Sequence, residues 1–86
     1  MPRVILTGSA RQRAGDVGVV EVGGATVGEA VRALDAAHPA LRGWIVDEQA
    51  VLRRHVRLFM GGTAVSLETP IGHDAELHVV AAISGG

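Results

Sequence analysis

Apolar and polar residues alternate with the two-residue period of a β-strand in several short stretches of the chain. In the first stretch, Val4 and Leu6 share one face, and further apolar residues on the other face indicate a central strand. A polar turn over 9–16 leads to its predicted antiparallel partner, and Gly61-Gly62 is typical of a hairpin turn. The alternation predicts strands over residues 3–8, 17–22, 55–60, 63–67 and 76–82.

One stretch has the helical period instead. Thr26 and Glu29 match a capping box, in which Thr26 accepts the amide of Glu29 while Glu29 reaches back to the amide of Thr26. An apolar stripe at helical spacing follows, made of Val27, Ala30, Val31, Leu34 and Ala37. The pattern predicts a helix over 27–37, which Pro39 cannot continue.

A compact segment over 40–47 follows the helix. Leu41 and Ile45 are expected to pack under the helix, and Trp44 is expected to belong to the core rather than to a binding surface. The elements together predict an α+β fold in which one main helix covers one face of a mixed sheet of four to five strands. The other face then carries Phe59, Val80 and Ala82, an apolar cluster of the kind that marks partner surfaces.

Composition narrows the classes of function. Apolar residues make up 48% and charged residues 20% of 86 residues, which is typical of a single folded domain. A net charge of −1 and two aromatic residues disfavour nucleic-acid binding. The absence of cysteine excludes disulfides and thiolate metal sites. The apolar run at the N-terminus is too short for a signal peptide or a membrane span, so a cytoplasmic location away from membranes is expected.

The last four residues are Ile83, Ser84, Gly85 and Gly86. We interpret residues 83–86 as a flexible tail on a domain that spans 1–82. A glycine pair has no Cβ and fits a channel too narrow for side chains, so the tail can carry the Gly86 carboxylate into another protein's active site. A carboxylate must be activated before it reacts, for example as an acyl-adenylate made from ATP by a partner enzyme. The alternative is an ordinary frayed end.

The element order, the Thr26-Val27-Gly28-Glu29 helix start, the Thr69-Pro70-Ile71 loop and the Gly85-Gly86 end together resemble the ubiquitin-like sulfur carriers. The closest branch looks like the small subunit of molybdopterin synthase and its relatives, within a superfamily that includes the thiamine sulfur carrier. The resemblance covers nearly the whole chain and implies a β-grasp fold. The chain departs from the family pattern at residues 72–75 and at the start of the tail, where a proline is often found.

The resemblance also implies the chemistry and the partners. A ubiquitin-activating-like adenylyltransferase would bind the domain and adenylate the Gly86 carboxylate with ATP and magnesium. A sulfur donor would then convert it to a thiocarboxylate, which a downstream sulfur-accepting enzyme uses. The chain would be a carrier and cosubstrate, with no bound cofactor and no metal of its own. Molybdopterin synthesis is the first expectation for the pathway, and cysteine, thiamine and natural-product synthesis remain open.

Two rival interpretations come from other classes of function. His55 and His78 would suggest a metal site if they shared a face, although no third ligand is evident. A protein modifier, or a non-covalent ubiquitin-like interaction module, would use the same fold and differ only in the fate of Gly86. The sequence contains no evident pair of nucleophile and base and no phosphate-binding loop, so nothing in it indicates an enzyme. Gly23-Gly24 precedes a helix but lacks the lysine of a P-loop.

Overall fold

A computed structural model of the chain describes residues 1–81. In chain order the elements are β1 (Arg3–Leu6), α1 (Gly8–Arg13), β2 (Val19–Glu21), α2 (Val27–Ala37), a 3-10 turn (Pro39–Leu41), β3 (Val56–Met60), β4 (Thr63–Ala64) and β5 (Glu76–Ala81). The predicted α+β architecture, with one main helix on one face of a mixed sheet, is confirmed. The longest helix between residues 1 and 81 is α2, which at 11 residues is too short to cross a bilayer.

The sheet has five strands in the order β2-β1-β5-β3-β4. β1 pairs with β2 in antiparallel fashion, as the short connection between them predicts, and with β5 in parallel. β3 pairs in antiparallel fashion with β4 and β5. The last strand therefore lies in the middle of the sheet, and the described chain ends with it at Ala81.

The core lies between the sheet and α2. Each of the three inner strands contributes two buried side chains, which face the buried stripe of α2: Val4, Leu6, Val56, Leu58, Leu77 and Val79 against Val27, Ala30, Val31 and Leu34. Full burial of one such valine or leucine contributes about 1.5–3 kcal/mol. Leu41 and Ile45 are fully buried as predicted, and Trp44 is half-buried against the core with its ring edge-on to His55.

The start of α2 is fixed by its cap and by the loop that precedes β5. Thr26 Oγ1 accepts the amide of Glu29 at 3.2 Å, which confirms one half of the predicted capping box. The other half is wrong, because Glu29 Oε1 accepts the amide of Ala25 at 2.8 Å instead of that of Thr26. The amides of Val27 and Gly28 donate to the carbonyls of Thr69 and Leu67, so the loop satisfies two first-turn donors.

This loop also explains why the predicted strand over 63–67 is wrong in length. The strand β4 is only Thr63–Ala64, and hydrogen bonding to β3 ends with the Val65 amide, which donates to Leu58, because Ser66 already begins a turn that closes on Thr69. The turn directs the carbonyl of Leu67 toward α2 rather than along the sheet. The hairpin before it is as predicted: Gly61 and Gly62 have φ of 58° and 80°, the left-handed backbone of a two-residue type I′ turn.

The predicted polar turn over 9–16 is wrong, because residues 8–13 form the helix α1. Ala10 and Ala14, four residues apart, are the buried contacts of this short helix. The amides of Gly15 and Asp16 donate to the carbonyls of Gln12 and Arg11, the hydrogen-bond pattern of a Schellman C-cap. Two alanines give a weak apolar stripe, which is why the sequence pattern indicates a turn instead.

Gly24 is a position where we expect a substitution to destabilise the fold. Its φ is +147°, and a Cβ placed there would lie 2.9 Å from the backbone nitrogen of Ala30 inside α2. Gly24→Ala should lower the free energy of unfolding by about 2 kcal/mol, measured by urea denaturation, because strain and a backbone clash add. Gly43→Ala is the matched control: its φ is +76° with no atom near the new Cβ, so it should cost only about 1 kcal/mol. Equal losses would show that the clash at Gly24 does not exist.

Candidate functional site

The sheet face opposite α2 is the candidate site, and we call it the open face. Side chains directly opposite each other in paired strands lie on the same face of the sheet. Phe59 pairs with His78, and Val80 pairs with Arg57, so the two predicted interface residues Phe59 and Val80 are diagonal neighbours on adjacent strands of the open face. The predicted placement of both residues is therefore confirmed.

The open face contains residues that the sequence pattern did not bring together. Strand pairing aligns one residue from each strand in a single row across the sheet, in the order Val19, Ile5, His78, Phe59 and Ala64. The alternation of β1 already placed Ile5 opposite the core residues. The alignment of Ile5 with His78 follows only from the parallel pairing of β1 with β5, which alternation does not specify.

The row is mostly apolar and accessible. Val19 is 54% exposed, and Ile5, His78 and Phe59 are partly exposed. Val80, beside the row on β5, is 38% exposed. A contiguous group of exposed apolar side chains on a small domain is typical of a partner surface. The open face can therefore bury apolar side chains against a partner without any change in the fold.

Charged groups flank the middle of this row on both sides, because Arg3 and Glu76 precede Ile5 and His78 by two residues on β1 and β5. Arg3 donates to Glu76 at 2.6 Å, and Glu76 Oε1 lies 3.8 Å from Nε2 of His78. Both side chains of the Arg3–Glu76 pair are exposed to solvent, so the pair contributes at most about 1 kcal/mol to stability. Arg57, two residues before Phe59 on the opposite side of the row, donates to the carbonyl of Arg54. These groups give the apolar row a polar rim, as partner surfaces commonly have.

The remaining predicted site residues lie outside the described residues. They are Ala82 of the predicted docking cluster, and Ile83, Ser84, Gly85 and Gly86 of the predicted tail. The described chain ends at Ala81 in the central strand β5. The boundary of the domain at residue 82 and the role of the tail therefore stay predictions.

The two histidines of the rival metal site do not form a cluster. Phe59 is the partner of His78, so His55 lies four residues farther along β3, about 13 Å away along the strand. The ring of His55 is instead edge-on to Trp44, with centroids 5.3 Å apart. Within residues 1–81, no group of three metal-binding side chains is present.

Comparison with known proteins identifies the family. Residues 4–86 match the profile of the ThiS family. The chain belongs to the ThiS family. It is therefore a ubiquitin-like protein of the sulfur-carrier superfamily, in agreement with the five-stranded sheet and its single main helix. The resemblance inferred from the sequence is confirmed at this level.

The proteins similar to this ThiS-family chain include a small archaeal modifier protein. Small archaeal modifier protein 1 of Haloferax volcanii is 36% identical over 64 residues, which is 74% of each chain. A crystal structure of the protein of that name from Haloferax volcanii has a TM-score of 0.84 at 33% identity and covers 99% of this chain and 98% of its own. The crystal structure of the Amycolatopsis orientalis BexX/CysO complex matches with a TM-score of 0.88 at 24% identity over 100% of both chains. These matches confirm the β-grasp fold.

Proposed function

We propose that this chain is a sulfur carrier whose Gly86 carboxylate is adenylated and then converted to a thiocarboxylate. The observation that carries the proposal is the ThiS-family match, which extends through Gly86 itself. The topology supports it, because the strand that leads to the glycine pair is the central strand of the sheet. The tail would then be anchored on the most extensively paired strand of the domain.

The proposed chemistry has two steps. The Gly86 carboxylate attacks the α-phosphorus of ATP in the active site of a ubiquitin-activating-like adenylyltransferase, forming the acyl-adenylate and releasing pyrophosphate. A sulfur nucleophile then attacks the acyl carbon and displaces AMP. Sulfide gives the thiocarboxylate directly, whereas a persulfide donor gives an acyl disulfide that a thiol must reduce. ATP and magnesium belong to the partner, and this chain supplies the carboxylate.

The open face is proposed to dock on that adenylyltransferase. Five residues separate Ala81 from the Gly86 carboxylate, and an extended chain of that length spans at most about 18 Å. The enzyme must therefore approach the end of β5, where Val80 is exposed. Phe59 lies diagonally beside Val80 on the same face, and Ala82 would continue it. An apolar contact at this place would hold the domain while the tail enters the active site.

The downstream step is proposed to be transfer of the sulfur to a biosynthetic intermediate by a second enzyme. Molybdopterin synthesis is the first candidate, with this chain as the small subunit of a molybdopterin synthase-type complex. Cysteine, thiamine or natural-product synthesis are the alternatives. In each of these pathways the chain acts in the cytoplasm as a cosubstrate rather than as an enzyme.

A protein modifier is the second candidate function. The observation that favours it is the 36% identity to a protein named small archaeal modifier protein 1. A modifier would use the same adenylation, after which a lysine amine of a target protein, rather than sulfur, attacks the acyl carbon. A non-covalent interaction module would use the open face without any reaction at Gly86.

Pyrophosphate exchange tests the step that the first two candidates share. The full chain is incubated with a ubiquitin-activating-like enzyme, magnesium-ATP and labelled pyrophosphate, and we expect label to enter ATP only when Gly86 is present. Addition of sulfide and analysis of the product then separate carrier from modifier. Absence of exchange with the cognate enzyme of the same genome would contradict both and leave the non-covalent module.

A further inference from the structure

A groove runs along the side of α2, on the helix layer of the molecule rather than on the open face. Its volume is about 460 Å³, which is in the range of small-ligand and side-chain sites. Three parts of the chain form its walls: α2, the loop around 46–50 and the loop at 67–68. A ligand here and a partner on the open face would lie on different layers, so both could bind at once.

The floor of the groove is apolar and the rim is acidic. Val31 is buried, and Val46 and Leu67 are partly buried against the core. The charged groups of the lining are three carboxylates and one guanidinium, a net charge of −2: Glu29, Asp35, Glu68 and Arg32. A groove with an apolar floor and an acidic rim matches an arginine or lysine side chain, which has an aliphatic stem and a cationic head.

Asp35 is the carboxylate most in need of a partner. Its Oδ1 atom is buried, and no hydrogen-bond donor of residues 1–81 reaches it. Burial raises the pKa of the Asp35 carboxyl, and the nearby charge of Arg42 opposes this only in part. Glu29, by contrast, already accepts the amide of Ala25. Rotation about the soft terminal torsion of Asp35 would direct an oxygen to a bound cation.

The wall that contains Val46 and Ala50 is ordered by a local turn. Asp47 Oδ1 accepts the amides of Gln49 and Val51 at 2.8 and 3.0 Å. The hydrogen bond from the Val51 amide is the main reason that the pKa of the Asp47 carboxyl is held below its ordinary value. This turn fixes the backbone between Val46 and Ala50, so the groove is formed before any ligand binds.

We propose that the groove binds an arginine or lysine side chain of a partner protein. The stem lies along Val31, Val46 and Leu67, and the cationic head pairs with Asp35. This contact does not depend on the tail or on the proposed reaction at Gly86. It gives the domain a second binding surface, selective for basic segments, on the side away from the open face.

A single blocked amino acid is a suitable probe. We titrate ¹⁵N-labelled full-length protein with N-acetyl-L-arginine methylamide and follow amide chemical shifts. Saturable shifts are expected at Val46, Leu67 and Asp35, and the N-acetyl-norleucine analogue should shift them much less. Asp35→Asn should weaken binding at least about tenfold, the loss of one hydrogen bond to a charged group. Asp74→Asn, an exposed acid outside the groove, is the matched control and should leave binding unchanged.

Three results would overturn the proposal. Shifts that do not saturate, or that spread over all acidic parts of the surface, would show only general charge attraction. Equal effects of Asp35→Asn and Asp74→Asn would mean the same. Equal binding of the norleucine analogue would show that the acidic rim has no role and that the groove is only an apolar cleft.

The same variant gives a stability test that separates lost binding from misfolding. Because the pKa of Asp35 is raised above 3.8, the folded protein keeps this proton at pH values where the unfolded chain has lost it. Stability therefore falls as pH rises through that interval. Asp35→Asn should raise Tm slightly at pH 7 and leave it unchanged near pH 3, measured by calorimetry. A variant that binds less and melts earlier would indicate that Asp35 is structural.

Discussion

Deletion of Gly86 is expected to abolish adenylation and sulfur transfer while leaving the thermal melt unchanged. The reacting group in our proposal is the Gly86 carboxylate, and a chain that ends at Gly85 places its carboxylate one residue short of the reacting position. The buried side chains that stabilise the described part of the fold lie between Val4 and Val79, so the last of them precedes the deleted residue by seven positions. Calorimetry and pyrophosphate exchange on the same sample measure the two effects.

A one-residue extension after Gly86 is the control for this deletion. It keeps both glycines but moves the carboxylate outward, so it should also lose adenylation with an unchanged melt. If the extended protein were still adenylated, the length of the tail would not determine whether its carboxylate reaches the active site. If deletion of Gly86 lowered Tm as much as it lowered activity, the loss of function would be a folding effect.

Val80→Asp is expected to weaken binding to the adenylyltransferase at least about a hundredfold, which is about 2.7 kcal/mol. Val80 is exposed on the open face at the end of β5 and lies diagonally beside Phe59. A carboxylate at this position would lose its water when the enzyme docks, and an ion pair with the opposite Arg57 would repay only part of that cost, in addition to the lost apolar contact. Phe59→Asp should act in the same direction. Calorimetric titration measures both affinities.

Val51→Asp is the matched control for the open face. Val51 is 55% exposed, yet it lies in the loop after Asp47 and not on the sheet. The same chemical change there should leave affinity within about threefold, because an exposed site away from a contact contributes little. Val19→Asp tests how far the contact extends toward the edge strand β2. Unaltered affinity in both Val80→Asp and Phe59→Asp would exclude the open face as the docking surface.

The sequence predicted the sheet and α2 well because both have strong periodic signals. The apolar stripe of α2 and its Thr26 cap predict both ends of the helix correctly. Alternation assigns Phe59 and Val80 to the open face. The helix α1 has only Ala10 as a buried residue, with Ala14 buried at its C-cap, so its signal is too weak against Gly8 and Gly15. The short β4 depends on a loop that bonds to α2, a long-range contact that local pattern does not contain.

The two surfaces differ in how far the sequence could predict them. The open face needs alternation, which is local, and strand order, which the family resemblance supplies. The groove beside α2 brings Asp35, Val46 and Leu67 together from three separate segments with no common motif. The burial of Asp35 Oδ1 also depends on tertiary packing. Such a site becomes visible only when the loops are placed against the helix.

The most direct test of the central claim is an intact mass of the protein purified from its own host, compared with a Gly86 deletion. The sulfur-carrier proposal predicts a population heavier by the difference between one sulfur and one oxygen atom, located at Gly86 by fragmentation and absent from the deletion. Pretreatment with a thiol-alkylating reagent should trap it as an adduct at the same residue. An unmodified mass together with conjugates that join Gly86 to lysines of other proteins would contradict it and establish a modifier.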